Sequence, residues 1–225
     1  MPLLRRHQLA HLGSAAWRDI LSGPWDDVAR ACLQHWADHA LPLVVTRQCA
    51  PHPQRDDGVA LGLSAPARWG RRPLSLRVAH SGISWLSEFP RLRAAIGVCP
   101  REAHAPLRAL EARLASLDVR AHVYGSAGWQ QLSGLHYVHE RSDIDLWLAV
   151  DGTAQADDAV AALQACASPV RIDGELMFPD GSAVAWREWA AWRAGRCSEV
   201  LVKRLYGSVL ASDAEVLANA GWCAA

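Results

Sequence analysis

Apolar positions in residues 1–80 follow two different spacings. From residue 17 to residue 40 they recur every three or four positions, which predicts helices interrupted at Gly23-Pro24 and ended before Pro42. The β-branched run PLVVTRQ and the segments VALGLSAP and RPLSLRVA instead predict three strands. Residues 1–80 are therefore expected to form a small α+β domain.

The pattern changes in the second part of the chain. Residues 81–106 are rich in proline, glycine and turn residues and mark a candidate domain boundary. Leucines at 107, 110, 114 and 117 then predict an amphipathic helix. Strands are expected at VRAHVYGS, DIDLWLAV and PVRIDGELMF, a helix at AQADDAVAALQACA, and a fourth strand leading into a helix at SAVAWREWAAW. Residues 81–225 are thus predicted to form a mixed sheet with flanking helices, so the chain is α+β.

Composition excludes several classes of partner. Lys plus Arg and Asp plus Glu both number 23 in the 225 residues, and the resulting net charge of zero gives no electrostatic footprint for nucleic acid or an anionic membrane. No segment approaches the roughly twenty apolar residues of a membrane span, and the N-terminus has no apolar run of signal-peptide length. A soluble cytoplasmic protein is expected.

Cysteine and tryptophan usage suggests packing more than chemistry. The six cysteines lie far apart without a CxxC pair, so neither a zinc site nor a disulfide framework is indicated, and buried reduced thiols are expected. The eleven tryptophans are scattered along the chain, which favours packing over base stacking.

Two acidic pairs carry the candidate chemistry. Side chains alternate along a strand, so Asp143 and Asp145 share one face and repel each other unless a cation compensates them. The expected compensating partner is a divalent metal such as Mg²⁺, or Mn²⁺, held through oxygen ligands. Asp173 and Glu175 flank Gly174 in a later strand and offer a third ligand, with Asp173 as first choice and Glu175 as reserve. The alternative is a solvated strand edge or a helix cap.

A glycine turn precedes the first acidic pair. Gly125-Ser126 ends a predicted strand, where backbone N–H groups and the Ser126 hydroxyl could approach phosphate oxygens closely. Three carboxylates around two cations could then clamp a triphosphate. Lys203, the only lysine, and Arg141 are further candidates for phosphate binding. The alternative for Lys203 is a solvated helix charge, and the interpretation favoured for Arg141 is a surface ion pair.

The order of these motifs resembles the nucleotidyltransferase superfamily, whose signature is a Gly-Ser turn, an hDxDh strand and a later carboxylate. More closely, the segments YGSAGWQQLSGLHYVHERSDIDLWL, RIDGELMFPDGSAVAWREW, EVLVKRLYG, RHQLAHL and PLVVTRQ are similar to those of the malonate decarboxylase holo-acyl-carrier-protein synthases, also called phosphoribosyl-dephospho-CoA transferases. This second resemblance spans nearly the whole chain.

The resemblance implies an activity, partners and site residues. It implies transfer of phosphoribosyl-dephospho-CoA from triphosphoribosyl-dephospho-CoA to a serine of the acyl-carrier subunit of malonate decarboxylase, with release of diphosphate. Asp143 and Asp145 would hold the metal ions, and Asp173 or Glu175 would complete the site or help to deprotonate the serine. Two other hypotheses remain open: a generic nucleotidyltransferase acting on a protein or small molecule, and a non-catalytic binding module that keeps the fold.

Overall fold

The computed structural model describes residues 4–49 and 58–212, which form two sheets flanked by helices. The helices are α1 (Ser14–Leu21), α2 (Asp27–Asp38), α3 (Leu92–Ala95), α4 (His104–Ser116), α5 (Gly125–Ser133), α6 (Thr153–Ala165) and α7 (Trp186–Arg193). The strands are β1 (Leu9–Leu12), β2 (Leu43–Val45), β3 (Val59–Ser64), β4 (Pro73–Val78), β5 (Ile83–Ser87), β6 (Arg120–Tyr124), β7 (Ile144–Ala149), β8 (Ile172–Met177), β9 (Ala183–Ala185), β10 (Val200–Lys203) and β11 (Ser208–Ala211). The α+β prediction is confirmed.

The first sheet is antiparallel, with strand order β4-β3-β2-β1-β5. Helices α1 and α2 share a core with it, because their buried residues Trp17, Leu33 and Trp36 belong to the same apolar cluster as the inward side chains of the strands. The second helix is capped by Asp26, whose carboxylate accepts a hydrogen bond from the Ala29 N–H at 2.8 Å.

The second sheet has the order β11-β10-β9-β8-β7-β6, and within it only β7 and β8 run parallel. A parallel pair needs a crossover, which α6 provides between β7 and β8. Leucines 107, 110 and 114 of α4 are buried against this sheet, as the amphipathic pattern predicts. Both acidic pairs are therefore brought to neighbouring strands of one sheet.

Gly174 allows β7 and β8 to approach closely. Its φ is +144°, and a Cβ at this position would collide with the backbone of Leu146 on the facing strand. Glycine is the residue that satisfies both demands, because it has no side chain and tolerates positive φ. The RIDGEL sequence therefore holds Asp173 and Glu175 on either side of a tight contact between strands.

Several sequence-based expectations need correction. The turn-rich stretch after residue 80 contains β5, which pairs with β1, so the first sheet extends past the predicted domain end. All five described cysteines are free, but Cys49 and Cys197 are exposed, and burial was wrongly expected for them because spacing carries no information on depth. Cys223 lies outside the described residues.

The two sheets contact each other through α5 and the loop after it. Trp129 of α5 and Tyr137 are buried in the core of the first sheet, and the Tyr137 hydroxyl donates a hydrogen bond to the Ser64 carbonyl at 2.7 Å. Across residues 4–49 and 58–212, no helix has both the length and the apolar character needed to cross a bilayer.

Candidate functional site

Three carboxylates meet at one end of the parallel strand pair. Asp145 on β7 and Asp173 on β8 are direct neighbours in the strand register, and Asp143 lies immediately before β7. Adjacent strands are about 4.8 Å apart, so the two registered aspartates are close. The structure thus brings together the DxD pair and Asp173, the first choice for a third carboxylate.

Helix α5 begins at this carboxylate group. Gly125 has φ +60°, and a Cβ there would collide with the Asp145 carboxylate, so the start of the helix lies directly against that side chain. Ser126 follows in the first turn and is half-buried. Among the side chains that the structure describes, none caps the helix, so its first backbone N–H groups are available to an anion.

The positive charge of neighbouring side chains is distributed unequally among the three aspartates. Arg171 pairs with Asp173 at 2.7 Å and with Asp143 at 3.7 Å. Among the described residues Asp145 forms no ion pair. Burial, followed by the negative charges of Asp143 and Asp173, raises the pKa of Asp145 from 3.8 to about 6. The site holds more negative charge than its own cations compensate.

Glu175 points into a different environment. It is buried, and its carboxylate contacts Lys203 Nζ at 2.7 Å, His7 Nε2 at 2.9 Å and Arg6 at 3.6 Å. Burial opposes ionisation of Glu175, but the hydrogen bond and charge of His7, with Lys203 and Arg6, outweigh it and lower the pKa to about 2. We call these four side chains the Glu175 cluster.

The predicted phosphate-binding cations have different surroundings. Lys203 lies on strand β10 within the Glu175 cluster, so the alternative of a solvated helix charge is wrong. Arg141 is exposed in the loop before β7, and its guanidinium forms no ion pair with the described residues. Of these two residues, Lys203 is therefore the one whose position is fixed by an ion pair of its side chain.

Sequence reasoning missed the contribution of Arg6 and His7. Both precede β1 and belong to the part of the chain that forms the first sheet, which we call the first unit; the part that forms the second sheet is the second unit. Their side chains nevertheless reach Glu175 on the second sheet. The His7 ring also packs against Tyr124, whose strand position is opposite Asp145. Nothing in the local spacing of these two residues signals a contact across 168 positions of sequence. The signal that the sequence offers for them is their place in the RHQLAHL segment, one of those that carry the family resemblance.

The aspartates are not already arranged as a finished metal centre. Within the part of the chain that the structure describes, no group of three or more His, Cys, Asp and Glu side chains is disposed to hold a metal ion. The donor chemistry is nevertheless that of a hard-cation site, since all three groups are carboxylates. The charge imbalance at Asp145 also favours a positively charged ligand.

We expect Gly125→Ala to destabilise the fold more than Gly134→Ala does. Both glycines belong to the ends of α5 and have positive φ, +60° and +69°, so each alanine carries a similar backbone cost of about 1–2 kcal/mol. A Cβ at Gly134 has no atom within 4 Å, whereas one at Gly125 meets Asp145, which adds about 1–3 kcal/mol. Urea unfolding of both variants measures the difference. Equal losses would contradict the close contact with Asp145.

Two family models together match nearly the whole chain. One is described as the phosphoribosyl-dephospho-CoA transferase MdcG N-terminal domain and matches residues 5–89. The other is described as the phosphoribosyl-dephospho-CoA transferase MdcG C-terminal domain and matches residues 91–214. The two matched ranges meet between β5 and α3, so the first range contains the whole of the first sheet.

Curated relatives carry the same description. The phosphoribosyl-dephospho-CoA transferase of Bradyrhizobium diazoefficiens is 35% identical over 217 residues, which are 96% of this chain and 93% of that protein. The protein of that name in Xanthomonas axonopodis pv. citri is 35% identical over 201 residues, 88% of this chain and 89% of its own. The one in Azotobacter vinelandii is 32% identical, covering 87% and 92%. No solved structure matches the chain significantly.

Proposed function

Because the chain belongs to the phosphoribosyl-dephospho-CoA transferase family, we propose that it transfers phosphoribosyl-dephospho-CoA from triphosphoribosyl-dephospho-CoA to a serine of the acyl-carrier subunit of malonate decarboxylase. The serine oxygen attacks the α-phosphorus and forms a phosphodiester bond. The bond between the α- and β-phosphates breaks, and diphosphate leaves with its electron pair. The serine proton passes to a base on the enzyme or to solvent.

The observation that carries this proposal is the set of three aspartates at one end of β7 and β8, which lies beside the start of α5. Asp145 and Asp173 are registered neighbours, and Asp143 stands next to them, so negative charge is concentrated where phosphates would bind. Carboxylates alone would repel a triphosphate. A divalent cation between the aspartates and the phosphates would replace this repulsion with attraction on both sides.

We propose Mg²⁺, or Mn²⁺, as that cation, with Asp143, Asp145 and Asp173 as its ligands. The bound ion would neutralise charge on the reacting phosphate and on the leaving diphosphate. Arg171 now pairs with two of these carboxylates and is 58% exposed, so it is free to move aside when a stronger cation competes. Asp173 would complete the carboxylate set or help to deprotonate the incoming serine hydroxyl.

The remaining polar groups of the site suit the triphosphate. Helix α5 begins against Asp145, and its first N–H groups and the hydroxyl of Ser126 in its first turn can donate to phosphate oxygens. The Glu175 cluster contributes two permanent cations, Arg6 and Lys203, against one carboxylate, and so keeps a net positive charge. Glu175 in this proposal fixes those cations and does not serve as a metal ligand.

Mass spectrometry of the carrier subunit tests the proposed function. We expect the apo carrier, incubated with the protein, Mg²⁺ and triphosphoribosyl-dephospho-CoA, to gain the mass of one phosphoribosyl-dephospho-CoA group. Chelation of the divalent ion should prevent the gain, and so should replacement of the acceptor serine by alanine in the carrier. Diphosphate should appear in the same amount as modified carrier.

A parallel reaction with ATP separates the proposed function from the generic nucleotidyltransferase. We expect no mass gain with ATP, because the family description specifies a dephospho-CoA group. A gain of AMP on the carrier would replace the proposal with nucleotidyl transfer. Failure with both substrates at several carrier concentrations would favour a binding module without catalysis.

A further inference from the structure

A cavity of about 640 Å³ opens between the two units, beside β5 of the first sheet and the turns that follow β8 and β10 of the second. Its volume is within the range of about 300–1,000 Å³ that is typical of small-molecule sites. Apolar and aromatic side chains dominate its wall, among them Leu4, Trp85, Leu205 and Tyr206. None of these residues belongs to the carboxylate site.

Trp85 is the most distinctive group in this cavity. Its side chain is 56% exposed, so the packing role expected for the tryptophans does not extend to it. One face of the indole stacks on the His11 ring at 3.5 Å with an angle of 6° between the planes. His11 is fixed in turn by a hydrogen bond with the Ser87 hydroxyl at 2.9 Å. The indole is therefore held in one orientation with its second face available to a planar ligand.

Two chain segments lead from the Glu175 cluster into the cavity wall. Leu4 is three residues before His7, and Tyr206 is three residues after Lys203. Because an extended residue spans about 3.3 Å, the cavity begins within about 10 Å of the cluster. Arg204, on the second segment, is 40% exposed and pairs with Asp180 at 3.3 Å at the cavity wall. Its guanidinium can also donate hydrogen bonds to a phosphate group, while its charge is shared with Asp180.

We propose that this cavity binds the dephospho-CoA part of the substrate, with the adenine stacked on Trp85 and the diphosphate near Arg204. The inference rests on the proposed function, because the triphosphoribosyl and dephospho-CoA parts belong to one molecule and their binding sites must adjoin. An aromatic face suits the adenine ring, and the apolar wall suits the pantetheine arm. The N-terminal unit thereby contributes directly to substrate recognition.

Binding of dephospho-CoA itself, without the triphosphoribosyl group, tests the assignment. By isothermal titration calorimetry we expect Trp85→Ala to raise the Kd roughly tenfold, because the stacking surface is lost. Trp85→Phe retains an aromatic face and should raise it less than about threefold. Tyr206→Ala provides a second variant within the cavity. Leu210→Ala is the matched control, since Leu210 is 59% exposed on β11 and does not line the cavity.

The outcomes separate this inference from the proposed function. Unchanged affinity of Trp85→Ala for dephospho-CoA, or no binding by the wild-type protein, overturns the assignment. Weaker binding of the apo carrier by Trp85→Ala, with dephospho-CoA affinity intact, also overturns it and identifies a carrier-docking surface. If dephospho-CoA binds and Trp85→Ala weakens it while no carrier is ever modified, the cavity assignment stands and the proposed transfer fails. Asp145→Asn should bind dephospho-CoA as the wild type does.

Discussion

Asp145→Asn is expected to abolish transfer and, in the absence of divalent ions, to stabilise the fold. Catalysis should fall by at least about a thousandfold, because the variant loses the carboxylate at the centre of the phosphate site. Stability should rise by roughly 1–3 kcal/mol at pH 8, because the charge on Asp145 is opposed by burial and by two neighbouring aspartates. A residue with only a structural role would lose stability when replaced.

The pH dependence follows from the direction of the pKa shift. The folded protein holds the Asp145 proton more tightly than the unfolded chain does, since the pKa is about 6 instead of 3.8. The favourable contribution of this group is complete below pH 3.8 and is lost as the pH rises through 6. Wild type and Asp145→Asn should therefore have similar unfolding free energies near pH 4, diverge between pH 4 and pH 6, and differ by a constant amount above pH 6, as measured by urea denaturation.

The control lies at the other end of the same strand. Asp151 follows β7, is exposed, and is not part of the carboxylate group, so Asp151→Asn should change activity and stability little. Addition of Mg²⁺ should stabilise the wild type and leave Asp145→Asn unaffected, which tests the metal proposal without an activity assay. Loss of stability in Asp145→Asn at pH 8 without divalent ions would show that its charge is compensated after all.

Glu175→Gln should have the opposite effect on stability. This substitution keeps the size of the side chain but leaves Arg6 and Lys203 without their shared anion, which should lower the unfolding free energy by about 3 kcal/mol at pH 7. Transfer should also fall, because Lys203 would lose the contact that holds it beside the triphosphate. Chemical unfolding and the carrier mass assay measure the two effects separately.

Acid titration distinguishes Glu175 from Asp145. The pKa of Glu175 is lowered from 4.5 to about 2, so its stabilising contribution is complete above pH 4.5 and disappears as the pH falls through 2. The stability of Glu175→Gln should accordingly vary less with pH in this window than that of the wild type.

Glu88→Gln is the matched control for Glu175→Gln. Glu88 also pairs with an arginine, Arg5 at 3.1 Å, but both side chains are much more exposed, at 29% and 43%. Its replacement should cost less than about 1 kcal/mol. A loss as small for Glu175→Gln would mean that the Glu175 cluster contributes little net stability.

The sequence was sufficient to predict the DxD pair and its neighbourhood. Asp143 and Asp145 stand out because charged residues interrupt an otherwise apolar strand, and the Gly125-Ser126 turn stands out because glycine tolerates the required φ. Both signals are local, since they depend on residues adjacent in the chain. Helices α4, α6 and α7 and strands β6 to β9 were predictable for the same reason, whereas no periodic pattern predicted α5.

The parts that escaped prediction depend on contacts between distant residues. Strand β5 lies in a stretch rich in turn residues, and it forms a strand because β1 supplies its hydrogen-bonding partner. Arg6 and His7 acquire their role from the way the first unit packs on the second sheet. Whether Asp173 or Glu175 joins the DxD pair could not be decided from alternation alone, since both share one face in an ideal strand.

The Glu175 cluster also limits how the two units could be exchanged between relatives. Two of its members, Arg6 and His7, come from the segment before β1, while the carboxylate and Lys203 come from the second sheet. A chimera that joins the first unit of one relative to the second unit of another would inherit the buried acid and its lysine from one parent and the residues that correspond to Arg6 and His7 from the other. The two units of a working chimera must therefore preserve the contacts of the Glu175 cluster, whatever the overall percentage identity of the parents.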